Sequence, residues 1–144
     1  MKSFKKFLLE SLDKAYDWKW LHKNSTSWEA EFFDKENGRF VITFVKWDNG
    51  KNYEVVFSFN ESHANTNFHD SFRVLATVTN AMITFLKEFS PPNLFFTGRK
   101  DEGKARIYAK ILQHFKSDFL KVGYKIGKID HRMFFDVLTL IKEK

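Results

Sequence analysis

Apolar and polar positions change period along the chain, and each change marks an element. Between Asp70 and Phe89, Leu75, Val78, Met82, Phe85, Leu86 and Phe89 recur at steps of three and four, with Arg73, Thr77, Asn80, Thr84 and Lys87 on the opposite face. That spacing predicts an amphipathic helix. Ser90-Pro91-Pro92 ends it, because proline cannot continue a helix and restricts the residue before it. Asn93 to Thr97 is short, apolar and bounded by turn residues, as a buried strand would be. Asp101 can cap a second helix, whose stripe is Ile107, Tyr108, Ile111, Leu112 and Phe115. A strand between two such helices calls for a sheet that both helices cover.

The first half of the chain supplies that sheet. Tyr16, Trp18 and Trp20 alternate with charged residues, and strands are expected again at Trp28 to Phe33, Arg39 to Trp47 and Lys51 to Asn60. Asp48-Asn49-Gly50 is the clearest hairpin signal, since Asn-Gly suits a type I′ turn. After Phe115, Lys121 to Lys128 and Arg132 to Lys142 read as two closing strands, although Phe134, Val137, Leu138 and Ile141 also fit a helix. The fold expected is therefore α+β, an antiparallel sheet with two central helices, preceded by an N-terminal helical appendage.

Length and composition fit one packed domain. The chain has 144 residues, 18 of them Phe, two of them Pro and none of them Cys. Disulfides and thiolate chemistry are thereby excluded. No apolar run approaches the roughly 20 residues of a membrane-spanning helix, and no membrane partner is expected. The net charge of +6 is concentrated in one segment: residues 99–128 hold nine basic and three acidic side chains, and the flanking segments balance. This segment is either a solvated face or an anion-binding one. On the second reading Lys104, Arg106, Lys110 and Lys116 form a face for nucleic acid or an acidic partner.

The first ten residues, Met1-Lys2-Ser3-Phe4-Lys5-Lys6-Phe7-Leu8-Leu9-Glu10, carry a resemblance of their own. Met1-Lys2, the hydroxyl of Ser3, the aromatic Phe4, then Phe7, Leu8 and Glu10 resemble the capsid-targeting prosegments of internal head proteins of T-even-type bacteriophages. Lys5-Lys6 departs from that pattern. The prohead protease of such phages cuts after Leu/Ile-x-Glu, which Leu8-Leu9-Glu10 satisfies, so trimming would leave Ser11 first. The resemblance implies a prosegment over residues 1–10 and one domain over 11–144. It further implies packaging in the virion interior, delivery to the host cytoplasm with the genome, and binding to a host protein or DNA without catalysis and without a cofactor. Leu86-Lys87-Glu88 and Ile141-Lys142-Glu143 satisfy the cleavage tripeptide too, but fall in expected regular structure.

The element order of the body resembles the GNAT-type N-acetyltransferase fold, in which an antiparallel run leads to a helix, a strand, a helix and two closing strands. Tyr108 in Arg106-Ile107-Tyr108, with Gly123-Tyr124 after it, looks like the late helix of that family, whose tyrosine often protonates the leaving thiolate. The family holds the coenzyme A pyrophosphate on a glycine-rich loop at the start of the first central helix, where backbone N–H groups meet the phosphates. Here that stretch is Asn65-Thr66-Asn67-Phe68-His69-Asp70-Ser71, without glycine and with an acidic residue. The resemblance thus speaks for the fold and against the activity. An acetyl-CoA-dependent N-acyltransferase with Tyr108 as general acid stands as the alternative, and a nucleic-acid-binding module as a third reading.

Other chemistry is thinly represented. His22, His63, His69, His114 and His131 show no ligand spacing among themselves, so no metal site is expected. Ser62-His63 and His69-Asp70-Ser71 lack a nucleophile elbow. Gly98-Arg99-Lys100-Asp101-Glu102-Gly103 puts two glycines and two bases before a helix, but it is too short and irregular for a phosphate loop.

Overall fold

The computed structural model describes residues 15–59, 68–100 and 104–143. The N-terminal appendage, with Leu8, Glu10 and Ser11, lies outside the described residues, as do Asn65 to Asn67. The fold is α+β, an eight-stranded sheet with GNAT-like element order. Its strands are β1 (Trp18–Lys23), β2 (Ser27–Phe33), β3 (Arg39–Trp47), β4 (Asn52–Phe59), β5 (Asn93–Arg99), β6 (Tyr124–Ile126), β7 (Asp130–His131) and β8 (Phe135–Lys142). The helices are α1 (Phe68–Phe89), α2 (Lys104–His114) and α3 (Lys116–Lys121). Strands hydrogen-bond in the order β1-β2-β3-β4-β5-β8-β6, and β7 pairs with β8.

Two compact units divide the chain. The first comprises residues up to Phe44 and Val56–Thr84, and the second Val45–Val55 and Phe85–Lys144. In the first unit the strict alternation of β3 buries Phe40, Ile42 and Phe44 on one face. Phe40 stacks on Phe32 of β2, with ring centroids 4.9 Å apart. The tryptophans form an edge-to-face chain, Trp18 on Trp20 and Trp20 on Trp28, and Lys23 Nζ lies 4.8 Å over the Trp28 ring.

One position on α1 differs from the pattern reading. Thr77, expected on the polar face, is fully buried. Its hydroxyl donates to the Arg73 carbonyl one turn back and accepts the Tyr16 N–H at 2.8 Å, so burial leaves no polar atom unsatisfied. Arg73 covers the Tyr16 ring at 3.7 Å. A threonine can occupy either face of a helix because it satisfies itself on the preceding turn.

In the second unit, Asn49 (φ 56°, ψ 32°) and Gly50 (φ 91°) take the type I′ values expected of Asn-Gly, closed by Lys51 N–H donating to the Asp48 carbonyl at 3.1 Å. The expected strand at Lys121 to Lys128 is corrected. The chain continues from α2 into the short helix α3, which buries Phe119 one turn after Phe115. Gly123 (φ 89°) then reverses the chain, and only Tyr124–Ile126 pair as a strand. The last strand begins at Phe135 rather than Arg132, because residues 132–134 form a tight tip between β7 and β8. Phe85, Leu86, Leu94, Leu112, Phe119, Tyr124, Leu138 and Leu140 make this unit's core.

Candidate active site

The site is built on β5. That strand is short and apolar because it is an interior strand, paired over seven residues with β8 from Asn93↔Ile141 to Arg99↔Phe135. Its other neighbour is different. β4 runs parallel to it, with Tyr53 paired to Leu94 and Glu54 to Phe95. Asn93 secures this start by donating its side-chain amide to the Lys51 carbonyl and the Asn52 side chain, both at 3.2 Å.

Tyr108 stands over this strand. The apolar stripe of α2 turns it inward, and it is buried at 8% exposure, with its ring edge-on to Phe96 and centroids 5.5 Å apart. The sequence-based expectation for Tyr108 therefore has a concrete setting, on the helix that follows β5, against Phe96 and next to the residues that pair with β4.

The register places further groups on the same face. Residues directly opposite in an antiparallel pair share a face. Phe96 faces Leu138 and Gly98 faces Asp136 across β5 and β8, and Asp136 faces His131 across β8 and β7. His131 Nδ1 and Asp136 Oδ1 are 2.9 Å apart, and Lys100 Nζ lies 3.6 Å from the same oxygen. The hairpin tip between them is closed by Arg132 N–H donating to the Phe135 carbonyl at 2.9 Å. Lys100 N–H donates to the Phe134 carbonyl at 3.0 Å, tying the tip to the end of β5. Met133 and Phe134 at this tip are 82% and 72% exposed. Sequence reasoning had His131 only as one scattered histidine. The signal in the sequence is His131 and Asp136 five residues apart, flanking the short stretch Arg132-Met133-Phe134-Phe135.

The remaining expected site residues do not converge here. Arg106, Lys110 and Lys116 are exposed. Lys104 is the first residue of α2, and Lys116 opens α3 rather than extending α2, so the four do not line a single helix. At the start of α1, Asp70 occupies the first turn. Among the described residues no three of His, Cys, Asp and Glu gather as metal ligands would, and no helix is long and apolar enough to cross a membrane.

A family model matches residues 16–133, the whole described body up to the β7–β8 tip. The chain belongs to the DUF6934 family, a family of unknown function. No curated protein matches its sequence. Its fold is similar to a Vibrio cholerae spermidine N-acetyltransferase SpeG chimera, at 9% identity and a TM-score of 0.44, over 81% of this chain and 67% of the other. A mutant form of the Vibrio cholerae spermidine/spermine N-acetyltransferase gives 10%, 0.43, 83% and 68% in the same terms. A GNAT-family acetyltransferase from Bacillus anthracis gives 13%, 0.42, 80% and 64%. The DUF6934 chain thus spans about two thirds of the length of these enzymes.

These findings correct the leading expectation from the sequence. The solved structures similar in fold are N-acetyltransferases and not bacteriophage head proteins, so the head-protein reading, with its expectations of no catalysis and no cofactor, is not kept; at this identity the likeness concerns the fold alone. A ten-residue linear pattern constrains only its own few side chains and carries no information on how the body folds.

Proposed function

We propose that the DUF6934 chain is an N-acyltransferase, moving an acyl group from a thioester to an amine. One observation carries the reading: Tyr108, buried on the helix after β5, lies edge-on to Phe96 of β5, next to the residues Leu94 and Phe95 that pair with β4. In this reading the amides of the donor's carrier arm pair with peptide groups of β5, much as an added strand would. Ligands of open sheets with parallel strands favour the carboxyl ends of those strands, and Phe96 to Arg99 is such an end.

The reacting end suits this chemistry. The amine nitrogen attacks the thioester carbonyl carbon, the C–S bond breaks, the Tyr108 phenol gives its proton to the departing sulfur, and the proton lost by the nitrogen passes to solvent, from which the phenolate is reprotonated. Protonation stops the thiolate from attacking the new amide. By sequence, residues 65–71 contain no glycine and include the acidic Asp70, so they lack the glycine-rich pattern that would cradle the diphosphate of coenzyme A. The donor is therefore defined by its thioester and amide arm, and acetyl-coenzyme A is the first to try.

The test is product formation. Purified protein incubated with acetyl-coenzyme A, and with longer acyl thioesters, is expected to yield the amide of at least one amine in a panel of alkylamines, polyamines and amino acids, read by mass spectrometry. Tyr108→Phe is expected to lower kcat by about 10²- to 10⁴-fold. No amide from any pairing would overturn the reading.

A further inference from the structure

We propose that the corner between the Trp20 and Trp28 rings is a binding site for a quaternary ammonium group, and that the Lys23 ammonium is its resident occupant. The inference does not depend on the acyltransferase reading. It starts from the register of β1 and β2. Trp18 and Trp20 are two residues apart on β1 and so share a face. Trp20 lies opposite Ala30, and Trp28, two residues from Ala30 on β2, is on that face too. Between Trp20 and His22 the register shifts, and the shift brings Lys23 rather than His22 opposite Trp28. Bulges re-aim a side chain in this way, and they are over-represented next to active sites.

The two rings make a corner. Their centroids are 5.2 Å apart and their planes stand at 90°. Lys23 Nζ lies 4.8 Å from the Trp28 centroid and 5.5 Å from that of Trp20, inside the roughly 6 Å range of cation–π attraction for both. The walls are braced. Trp18 meets Trp20 edge-on at 5.0 Å, and its Nε1–H donates to Asn80 Oδ1 on α1 at 3.0 Å. Phe44 of β3 packs on Trp20 at 5.9 Å. The loop between Lys23 and Trp28 is held by Asn24, whose Oδ1 accepts from the Thr26 and Ser27 N–H groups, each at 2.9 Å. The corner is thus built before a ligand arrives, which lowers the cost of binding.

Lys23 reports what the corner prefers. A lysine ammonium is strongly hydrated and carried on a flexible stem, and holding it in one place costs side-chain entropy. Its seat over two rings marks an attraction for positive charge that offsets this cost. Lys23 is exposed while Trp20 and Trp28 are half-buried, so the ammonium reaches the rings from solvent. A quaternary ammonium carries the same charge, sheds water more easily and meets both rings with its methyl groups. It replaces Lys23 by letting the stem swing back to solvent. Glu29 alternates to the other face of β2, where its Oε2 lies 3.7 Å from His22 Nε2. The walls that Trp20 and Trp28 offer are π faces, which attract charge but accept no strong hydrogen bond. This favours a methylated cation over a primary amine.

The experiment uses the full chain and choline chloride as the probe, against sodium chloride at matched ionic strength. Choline at millimolar concentration is expected to give saturable shifts of the Trp20 and Trp28 indole N–H signals in a nitrogen–proton correlation spectrum. Dimethylbutanol, in which carbon replaces the choline nitrogen, is expected to bind at least about threefold more weakly. Lys23→Ala is expected to tighten choline binding about two- to fivefold, because the ligand no longer displaces an occupant. Lys19→Ala removes the same charge from the opposite face and is expected to leave the affinity unchanged. Trp28→Phe keeps a ring in the sheet and is expected to weaken binding, and Trp28→Leu, apolar but without a π face, to abolish it. No saturable shift, equal affinity for choline and dimethylbutanol, undiminished binding in Trp28→Leu, or a Lys23→Ala effect that Lys19→Ala reproduces would each overturn the proposal.

Discussion

The Tyr124 phenol donates a hydrogen bond to the Pro91 carbonyl oxygen. This contact joins the first residue of β6 to the turn that ends α1, 33 positions earlier in the chain. The same turn is held again by Lys142 N–H donating to the Pro92 carbonyl at 3.0 Å. The prolines that stop α1 are thereby fastened to the strands that close the sheet.

Tyr124→Phe removes that bond and keeps the ring, and is expected to destabilise the fold by about 1 kcal/mol in urea unfolding. The phenol also sets an alkaline limit. Burial pushes its pKa up to about 12 from 10.0, with the Ser90 side chain pulling slightly the other way. A group whose folded pKa is raised contributes stability that is fully present below its unfolded pKa and is lost as pH rises through the folded one. Wild-type stability is expected to decline between about pH 10 and pH 12, and Tyr124→Phe is expected to lack this component of the decline.

Glu31 sets an acid limit by the opposite sign. Arg39 Nε donates to Glu31 Oε2 at 2.8 Å, and Lys19 Nζ lies 3.5 Å from the other oxygen. The Arg39 hydrogen bond holds the Glu31 carboxyl below its ordinary 4.5, against a smaller upward push from burial. Its contribution is present above the ordinary value and is lost as pH falls through the lowered one. Glu31→Gln is expected to weaken the fold at pH 7 and to flatten the fall in melting temperature below about pH 4.5. Parallel pH–melting curves for the two proteins would refute this.

Two phenylalanines should respond oppositely to truncation. Phe85 is fully buried, stacked on Phe89 at 5.3 Å and against Tyr53 at 5.7 Å. Phe85→Ala is expected to cost about 3–5 kcal/mol from lost transfer energy and the cavity left behind. Phe134→Ala, at 72% exposure on the hairpin tip, is expected to change stability by about 0.5 kcal/mol or less. Denaturant unfolding of both variants checks the contrast.

The basic segment has a test of its own. Arg106, Lys110 and Lys116 are exposed on α2 and α3. On the proposal that they hold nucleic acid, random-sequence duplex DNA binds weakly, with a log–log salt slope of about −0.9 for each phosphate neutralised. Replacing all three with Ala is expected to abolish that binding and to change stability by about 0.5 kcal/mol or less per site. Binding that ignores salt, or survives the triple change, would show a solvated face.

Much of the fold was legible because its signals are local. The threefold and fourfold steps of Leu75 to Phe89 describe one helix face, and Phe40, Ile42 and Phe44 alternate as β3 buries them. The break at Pro91-Pro92 needed no tertiary information. The helix over Lys116–Lys121 is hidden in the sequence because Phe115 closes one apolar stripe and Phe119 opens the next, so the period breaks between them. Gly123, with its left-handed φ, was the stop signal that marks that helix end.

By itself the sequence determined the element order, the interior character of β5, and the presence of Tyr108 on the inward stripe of the helix after it. Each follows from spacing within one segment. Only the tertiary structure decided that Tyr53 and Glu54 of β4 pair in parallel with Leu94 and Phe95 of β5, and that His131 and Asp136 meet. Register between strands depends on turn geometry and on the packing of both faces at once, and a shift of one residue would send every side chain to the other face. No period along the chain encodes it.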